Sequence, residues 1–130
     1  MSTQQGEAKV TSKPQQIIEA AGRSIADPSR WAQGALARNA RGAPCCFMRA
    51  YSYDITGAIL RCGQQTSAKM QRDGINSQDM IRAIGAVYSS ACRLYKMTPS
   101  TVNDRIGHEA VMKVLRRAWT IAADFKEDQA

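Results

Sequence analysis

The chain has 130 residues, of which 44% are hydrophobic and 22% are charged, and its formal net charge is +7. A chain of this length builds one domain with a core of its own, so disulfides or a structural metal are not required for folding. No stretch approaches the ~18 consecutive apolar residues of a transmembrane helix, and residues 1–13 lack the apolar segment of a secretory signal. We therefore expect a cytoplasmic protein without a membrane partner.

The chain begins with a polar tail and a first helix. Residues 1–13 show no apolar period and are predicted to be a disordered tail. Pro14 suits the first turn of a helix, and one face of that helix is apolar, with Ile17, Ile18, Ala21 and Ile25. Asp27-Pro28 ends it, because the residue before a proline is pushed out of the α-helical region.

The middle of the chain mixes helical patterns with turn residues. The Trp31 motif (residues 31–38) is predicted to form a short helix over residues 32–38, followed by a loop at 39–44. A second helix is predicted over residues 46–62 and a polar connector over 63–75. Gly57 inside this helix costs about 1 kcal/mol relative to alanine, which indicates a close helix approach or a bend.

Two long helices are predicted in the C-terminal half. Asn76 and Asp79 form a favourable start for the first of them, whose apolar positions recur at helical spacing: Met80, Ile81, Ile84, Val87, Tyr88, Ala91, Leu94 and Tyr95. Pro99 follows its end. A last helix comes after Asn103-Asp104, with apolar residues at Val111, Val114, Leu115, Ala118, Trp119, Ala122 and Phe125.

The predicted fold class is all-α, an irregular bundle of about four main helices plus a short helix around the Trp31 motif. No run alternates apolar and polar residues as a strand does, and Asp73-Gly74 lies between polar residues. A single helical domain is expected over residues 14–126, between the tail 1–13 and a short tail 127–130.

The cysteines do not have the spacing of a metal site or a disulfide framework. The chain contains no CxxC pair and one histidine, so neither a metal nor a cofactor is predicted. In a cytosolic chain all four cysteines are expected to be reduced: Cys45, Cys46, Cys62 and Cys92.

The positive charge is concentrated in the middle of the chain. Residues 28–72 hold one acidic residue, Asp54, against seven basic ones, which leaves +6 of the total charge of +7 in this segment: Arg30, Arg38, Arg41, Arg49, Arg61, Lys69 and Arg72. Such a bias favours an anionic partner, although a solubilising surface has the same composition.

The Trp31 motif supplies the first candidate ligand site. Trp31 offers a ring for stacking, and Arg38 offers a two-pronged donor for phosphate or carboxylate, with Gln33 between them. The alternative is structural: Trp31 fills the core while Gln33 and Arg38 bond loop carbonyls. Arg49 and Tyr53, four residues apart on the predicted second helix, share a face and extend the candidate site.

A second candidate group precedes and begins the last helix. Asp104, His108 and Glu109 are residue types that perform acid–base chemistry. Equally, Asn103 or Asp104 caps the helix and Glu109 complements its dipole. A cysteine nucleophile would have to meet His108 in space.

Three pieces of sequence together resemble a known family. They are Trp31-x-Gln33-Gly34-x-x-Ala37-Arg38, then Gly57-Ala58-Ile59, then Asn103-Asp104 before an amphipathic helix. This pattern, covering residues 14–125, is similar to a family of small bacterial and phage proteins known as a domain of unknown function. The resemblance implies a shared fold and a shared site. Many members carry a cysteine before the Gly-Ala-Ile piece, whereas residues 53–56 contain none here, which argues against a shared cysteine nucleophile.

These patterns favour a non-enzymatic binding protein with a basic site for an anionic, nucleotide-like ligand. The phage members of the resembled family suggest a protein that sequesters a nucleotide signal or blocks a host factor. The alternatives are a small hydrolase-like enzyme that uses Asp104 and His108 or a cysteine, and a DNA-binding accessory protein. An acidic protein and a nucleic acid remain alternative partners, and homo-oligomerisation is left open. The predicted ligand-binding residues are Trp31, Gln33, Arg38, Arg49, Tyr53, Asn103, Asp104 and His108.

Overall fold

The protein is a bundle of α-helices with one very small sheet. The computed structural model describes residues 11–65 and 76–124. The five α-helices of this part are α1 (Lys13–Ser24), α2 (Ile55–Gln65), α3 (Ser77–Tyr95), α4 (Pro99–Arg105) and α5 (His108–Ala122). Two one-turn 3-10 helices, Pro28–Arg30 and Phe47–Arg49, lie between α1 and α2. The prediction of a mainly α-helical bundle is confirmed, and no helix of the described residues is long and apolar enough to cross a membrane.

The helix starts follow from local sequence. Ser12 caps α1, and its hydroxyl accepts the backbone N–H of Gln15 while the Gln15 side chain accepts that of Ser12. The Ser12 hydroxyl also donates to the carbonyl of Ala122, which joins the start of α1 to the end of α5. Asn76 and Asp79 form the same reciprocal cap on α3, at the helix start that the sequence predicted.

The core lies where α5 packs against α3 and α1, and α2 also packs against α1. Five of the apolar positions predicted on the last helix are buried, including Val111, Val114 and Ala118 at 0% exposure, whereas Trp119 is half-buried and Phe125 lies outside the described residues. Ser90 on α3 is also fully buried, and its hydroxyl donates to the carbonyl of Val114. The helical periodicity therefore identified most of the core positions correctly, but Ile81 and Tyr88, which fit the same period on α3, are exposed.

The second helix predicted over residues 46–62 begins only at Ile55. Residues 32–38 are not helical either, because strand β1 (Ala37–Arg38) pairs antiparallel with strand β2 (Ser52–Tyr53). The ladder satisfies backbone groups that helix formation would otherwise use. Arg49 lies in the 3-10 helix and Tyr53 in β2, so the prediction that they share one helix face is wrong.

The connection before α5 also differs from its prediction. Asn103 and Asp104 lie inside a short helix, α4, that the sequence did not indicate, and neither residue caps α5. Gly107 is the N-cap residue of α5, with φ of 130°, a backbone angle that L side chains rarely adopt. Glu109 does lie in the first turn of α5.

The predicted ends of the chain are tested only in part. Helix α1 begins at Lys13, so the last residue of the predicted tail 1–13 is helical. Most of the predicted connector 63–75, the Asp73-Gly74 pair, the tail 127–130 and the basic residues Lys69 and Arg72 lie outside the described residues.

Candidate functional site

Asn103 is the centre of a buried hydrogen-bond network. Its side chain is 0% exposed and uses all of its hydrogen-bonding atoms. The Oδ1 atom accepts the Trp31 indole N–H at 2.7 Å and the Ile55 backbone N–H at 3.0 Å. The Nδ2 atom donates to the Ala32 carbonyl at 2.9 Å and to Asp104 Oδ1 at 3.0 Å. Asn103 thus ties α4 to the Trp31 motif and to the start of α2.

The rest of the Trp31 motif bonds to α4 as well. Gln33 Nε2 donates to the carbonyls of Asn103 and Asp104, and the Gly34 backbone N–H donates to Asp104 Oδ1 at 2.9 Å. Arg38 donates twice to the Gln33 carbonyl and once to the Gly42 carbonyl. Gln33 and Arg38 thus form hydrogen bonds to backbone carbonyls, which is the structural alternative to ligand binding that the sequence analysis gave for them.

A buried carboxyl group adjoins this network. Asp54, at the start of α2, accepts the Gly57 backbone N–H at 2.6 Å. The pKa of Asp54 is raised to about 6: burial is the main cause and the negative charge of Asp104 contributes, against the lowering effect of the N–H groups of Gly57 and Thr56. Asp54 was not among the predicted site residues, because the sequence around a single carboxylate does not show which distant residues will surround it.

His108 connects the network to the surface. Its ring lies against the Trp31 ring, with centroids 5.3 Å apart, and its Nε2 atom lies 2.7 Å from the Ile25 carbonyl. Because a carbonyl only accepts, Nε2 carries the proton in this bond. The imidazole is therefore fixed between the Trp31 motif and the end of α1.

A cleft of about 960 Å³ opens beside His108. Its floor and walls come from the end of α3, the turn before α5 and one face of α5: Tyr95, Ile106, Gly107, His108, Glu109, Ala110, Met112, Lys113 and Arg116. Lys113 and Arg116 give it two exposed cations, and Glu109 gives it one carboxylate. A concave volume of this size is what small-molecule sites offer.

The structure brings five of the predicted ligand residues together. Trp31, Gln33, Asn103, Asp104 and His108 form one connected group, and Arg38 joins it through the Gln33 carbonyl. His108 also lines the cleft.

The side chains of Arg49 and Tyr53 form none of the hydrogen bonds of that group, although the Tyr53 backbone pairs with the Trp31 motif, where its carbonyl accepts the Ala32 N–H at 2.9 Å. Arg49 is exposed, while the Tyr53 side chain is buried, with its hydroxyl donating to the Phe47 carbonyl and the Arg61 guanidinium 5.2 Å from its ring centre.

Sequence reasoning missed most of the cleft. Tyr95 was assigned to the apolar face of its helix, and Lys113 and Arg116 were not among the predicted ligand residues. The sequence did contain a signal for the part of the cleft that α5 provides. His108, Met112 and Arg116 recur every four residues and therefore lie on one ridge of α5. Which groups face that ridge depends on how α3 and α4 pack, and the sequence does not state this.

The described residues hold no group of three or more His, Cys, Asp or Glu side chains that suits a metal ion. Within the same residues Asp104 and His108 are not hydrogen-bonded to each other, since Asp104 bonds Gly34 and Asn103 while His108 bonds Ile25.

The chain belongs to a family of unknown function (DUF6197), whose model matches residues 9–121. The resemblance found in the sequence, to a domain of unknown function, is thereby confirmed. No curated protein and no solved structure matches the chain.

Proposed function

We propose that this member of the family is a non-enzymatic binding protein whose cleft beside His108 takes an anionic, nucleotide-like ligand. The observation that carries the proposal is the cleft of about 960 Å³ with Lys113 and Arg116 on its wall. Neither Lys113 nor Arg116 forms an ion pair within residues 11–65 and 76–124; the ion pair in this part of the chain joins Arg23 and Glu19. Two unpaired cations in a concave site attract a phosphate group and reach it with charge-assisted hydrogen bonds.

The chemistry of the other lining residues supports a planar organic anion over a simple ion. Tyr95 supplies an aromatic ring and Ile106 and Met112 supply apolar surface, as a nucleobase requires. Glu109 lies in the same cleft, and its carboxylate repels a ligand of high negative charge. The site therefore favours a ligand with few phosphate groups and a stacking ring.

The buried network gives the cleft a fixed shape. Asn103 and Asp104 anchor α4 to the Trp31 motif, and Trp31 and Ile25 hold the His108 ring. Both ends of the turn from α4 to α5 are consequently fixed before a ligand arrives. Such preorganisation lowers the entropy lost on binding.

Binding is favoured over catalysis because the side chains of the candidate catalytic residues, His108 and Asp104, already form hydrogen bonds within the protein. The Nε2–H group of His108 donates to a backbone carbonyl, and Asp104 accepts two hydrogen bonds from its own network. An acid–base pair needs the two side chains within reach of one substrate proton.

The test is calorimetric titration of the full chain with AMP, ATP and inorganic pyrophosphate at low and at high salt. We expect AMP to bind more tightly than ATP or pyrophosphate, with weaker binding at high salt, and Arg116→Ala to weaken the binding of AMP by about tenfold or more. Arg117→Ala is the matched control, because Arg117 is the neighbouring exposed arginine of α5 and does not line the cleft.

Equal loss of affinity in Arg116→Ala and Arg117→Ala would mean that general charge, not the cleft, attracts the ligand. Absence of binding by all three compounds would refute the proposal. Release of inorganic phosphate from ATP that disappears in His108→Ala would establish the hydrolase alternative instead.

A further inference from the structure

A groove runs between the antiparallel helices α1 and α5. Near the start of α1, Gln15 donates to the carbonyl of Trp119 near the end of α5. At the other end, His108 of α5 bonds the carbonyl of Ile25, which follows α1. The groove between them has a volume of about 390 Å³, and we call it the α1–α5 groove. Its lining includes Ile18 and Gly22 of α1 and Met112, Leu115, Arg116 and Trp119 of α5.

The floor of the α1–α5 groove is apolar and recessed. Ile18 and Leu115 line it although they are only 2% and 3% exposed. A Cβ atom added at Gly22 would lie 3.9 Å from Leu115 Cδ1, so the glycine leaves room above this floor that a larger side chain would fill. The indole nitrogen of Trp119 is buried, so the part of its ring that lines the groove is hydrocarbon. The groove therefore suits an apolar occupant.

The α1–α5 groove adjoins the cleft beside His108. Met112 and Arg116 line both cavities, so the two meet along this part of α5. From there the groove follows α5 to Trp119, which lies seven positions after Met112 and therefore about 10 Å along the helix. A phosphate group held by Arg116 lies at the junction of a cleft with two cations and an apolar groove.

The size of the groove fits a linear chain and not a protein helix. A helix is about 10 Å wide, so the same length of it would occupy about 800 Å³, about twice the volume of the groove. An extended chain of single bonds advances about 1.2 Å per bond, so about eight carbons span this distance. Glu19, which also lines the groove, is exposed and forms an ion pair with Arg23, so its carboxylate lies at the rim.

We infer that the ligand of the cleft carries an aliphatic chain on its phosphate and that this chain occupies the α1–α5 groove. The inference rests on the proposed function and names the ligand class, an alkyl or acyl ester of a nucleoside monophosphate. The base lies against Tyr95, the phosphate at Arg116 and the chain between α1 and α5. Esterification leaves one negative charge on the phosphate, which suits a cleft that also contains the carboxylate of Glu109.

The test is calorimetric titration of the full chain with AMP, the methyl and octyl esters of AMP, and octyl phosphate. The two esters have the same charge, so the difference between their affinities isolates the contribution of the chain. Each buried methylene strengthens binding about fourfold. With half of the added methylenes buried, we expect the octyl ester to bind about a hundredfold more tightly than the methyl ester.

Two glycine variants locate the chain. Gly22→Leu places a side chain in the groove, and Gly85→Leu makes the same change on α3, outside both cavities. The new Cβ atom makes an ordinary contact at Gly22 and meets nothing within 4 Å at Gly85, and leucine improves helix propensity at both positions. We expect Gly22→Leu to weaken binding of the octyl ester by about tenfold or more and to spare the methyl ester, whereas Gly85→Leu changes neither.

The outcomes separate this inference from the proposed function. Equal affinities for the two esters, with AMP bound, would overturn the inference and leave the proposed function intact. A gain from the octyl chain that persists in Gly22→Leu would also overturn it, because the chain would then lie outside the groove. Octyl phosphate that binds as tightly as the octyl ester, without detectable binding of AMP, would refute the nucleotide-like ligand but support an aliphatic chain in the groove.

Discussion

The indole N–H of Trp31 donates to the side-chain oxygen of Asn103 at 2.7 Å, across 72 positions of the sequence. The same oxygen accepts the backbone N–H of Ile55. One buried amide therefore joins the Trp31 motif, the start of α2 and helix α4. The wall of the cleft is built on this junction, because α5 begins three residues after α4 ends.

Replacing Asn103 should destabilise the fold strongly. Asn103→Ala leaves the Trp31 indole N–H, the Ile55 N–H and the Ala32 carbonyl without their partner in a site that is 0% exposed. Each unsatisfied buried group costs about 1–3 kcal/mol, so we expect a loss of about 3 kcal/mol or more in the free energy of unfolding. Chemical denaturation measures it.

Ser100→Ala provides the comparison on the same helix. Ser100 is exposed, and its hydroxyl lies 3.4 Å from that of Thr56. We expect this change to stay within about 0.5 kcal/mol of the wild type. Similar losses of unfolding free energy for Asn103→Ala and Ser100→Ala would show that the hydrogen-bond network of Asn103 does not stabilise the fold.

Gly57→Ala and Gly85→Ala should have opposite effects, although both replace a helical glycine. A Cβ atom at Gly57 would lie 2.0 Å from the Leu36 carbonyl oxygen, whereas at Gly85 it would meet nothing within 4 Å. We expect Gly57→Ala to destabilise by about 1–3 kcal/mol through overpacking. Gly85→Ala should stabilise by up to about 1 kcal/mol through helix propensity. Thermal unfolding of both variants decides this, and a stabilising Gly57→Ala would contradict the close approach of the two backbones.

The buried carboxyl of Asp54 should make stability depend on pH. Its pKa is raised from 3.8 to about 6, so between these values the folded state binds more protons than the unfolded state. The stabilisation is therefore greatest below about pH 4 and is lost as the pH rises through about 6. At neutral pH the burial of the charge costs at most about 3 kcal/mol.

Asp54→Asn removes this titration and retains an oxygen that accepts the Gly57 N–H. We expect the variant to gain stability relative to the wild type as the pH rises from about 4 to about 7. Denaturant unfolding of both proteins across that pH range measures the difference in their free energies of unfolding. The other carboxylates are present in both proteins, so their contributions cancel in this difference. A difference that does not change with pH would place the titration of Asp54 outside this range.

Arg38 should matter for stability and not for ligand binding, contrary to its sequence-based assignment to the ligand site. Its guanidinium makes three hydrogen bonds to the carbonyls of Gln33 and Gly42. We expect Arg38→Ala to cost about 1 kcal/mol or more, with the affinity for AMP or ATP unchanged. Arg41→Ala, an exposed arginine of the adjacent turn, removes the same charge and should cost little. Loss of affinity in Arg38→Ala alone would return Arg38 to the ligand site.

Removing the carboxylate from the cleft should strengthen anion binding. Glu109 lines the cleft together with Lys113 and Arg116. Glu109→Gln keeps the size of the side chain and abolishes its repulsion, so we expect the affinity to rise several-fold at low salt and less at high salt. Titration at the two salt concentrations tests this, and a weaker complex would mean that Glu109 contacts the ligand directly.

Much of the fold was predictable because a helix depends on patterns that are local in the sequence. The caps at Asn76 and the apolar period of Val111, Val114 and Ala118 depend on neighbours within a few residues, and the structure confirms both. Gly57 was predicted to mark a close helix approach or a bend; the structure does show a close approach at Gly57, but the approaching group is the backbone carbonyl of Leu36 in a loop and not a second helix.

The errors of prediction lie where distant segments compete with local preference. Residues 46–54 have a helical pattern, yet Ser52 and Tyr53 pair with Arg38 and Ala37, which withdraws their backbone groups from a helix. Residues 81 and 88 fit the apolar period of α3, but they lie at its exposed edge because α5 covers only the other face.

The sequence by itself determined the helical class, the two long helices and the residues of the Trp31 motif, because periodicity, caps and turn chemistry are short-range. The tertiary structure decided which side chains meet. It assigned Asn103 to the centre of the core network, it gave Gln33 its carbonyl partners on α4, and it set His108 beside a cleft. Those outcomes depend on contacts between segments about seventy residues apart, and the packing of whole helices fixes them.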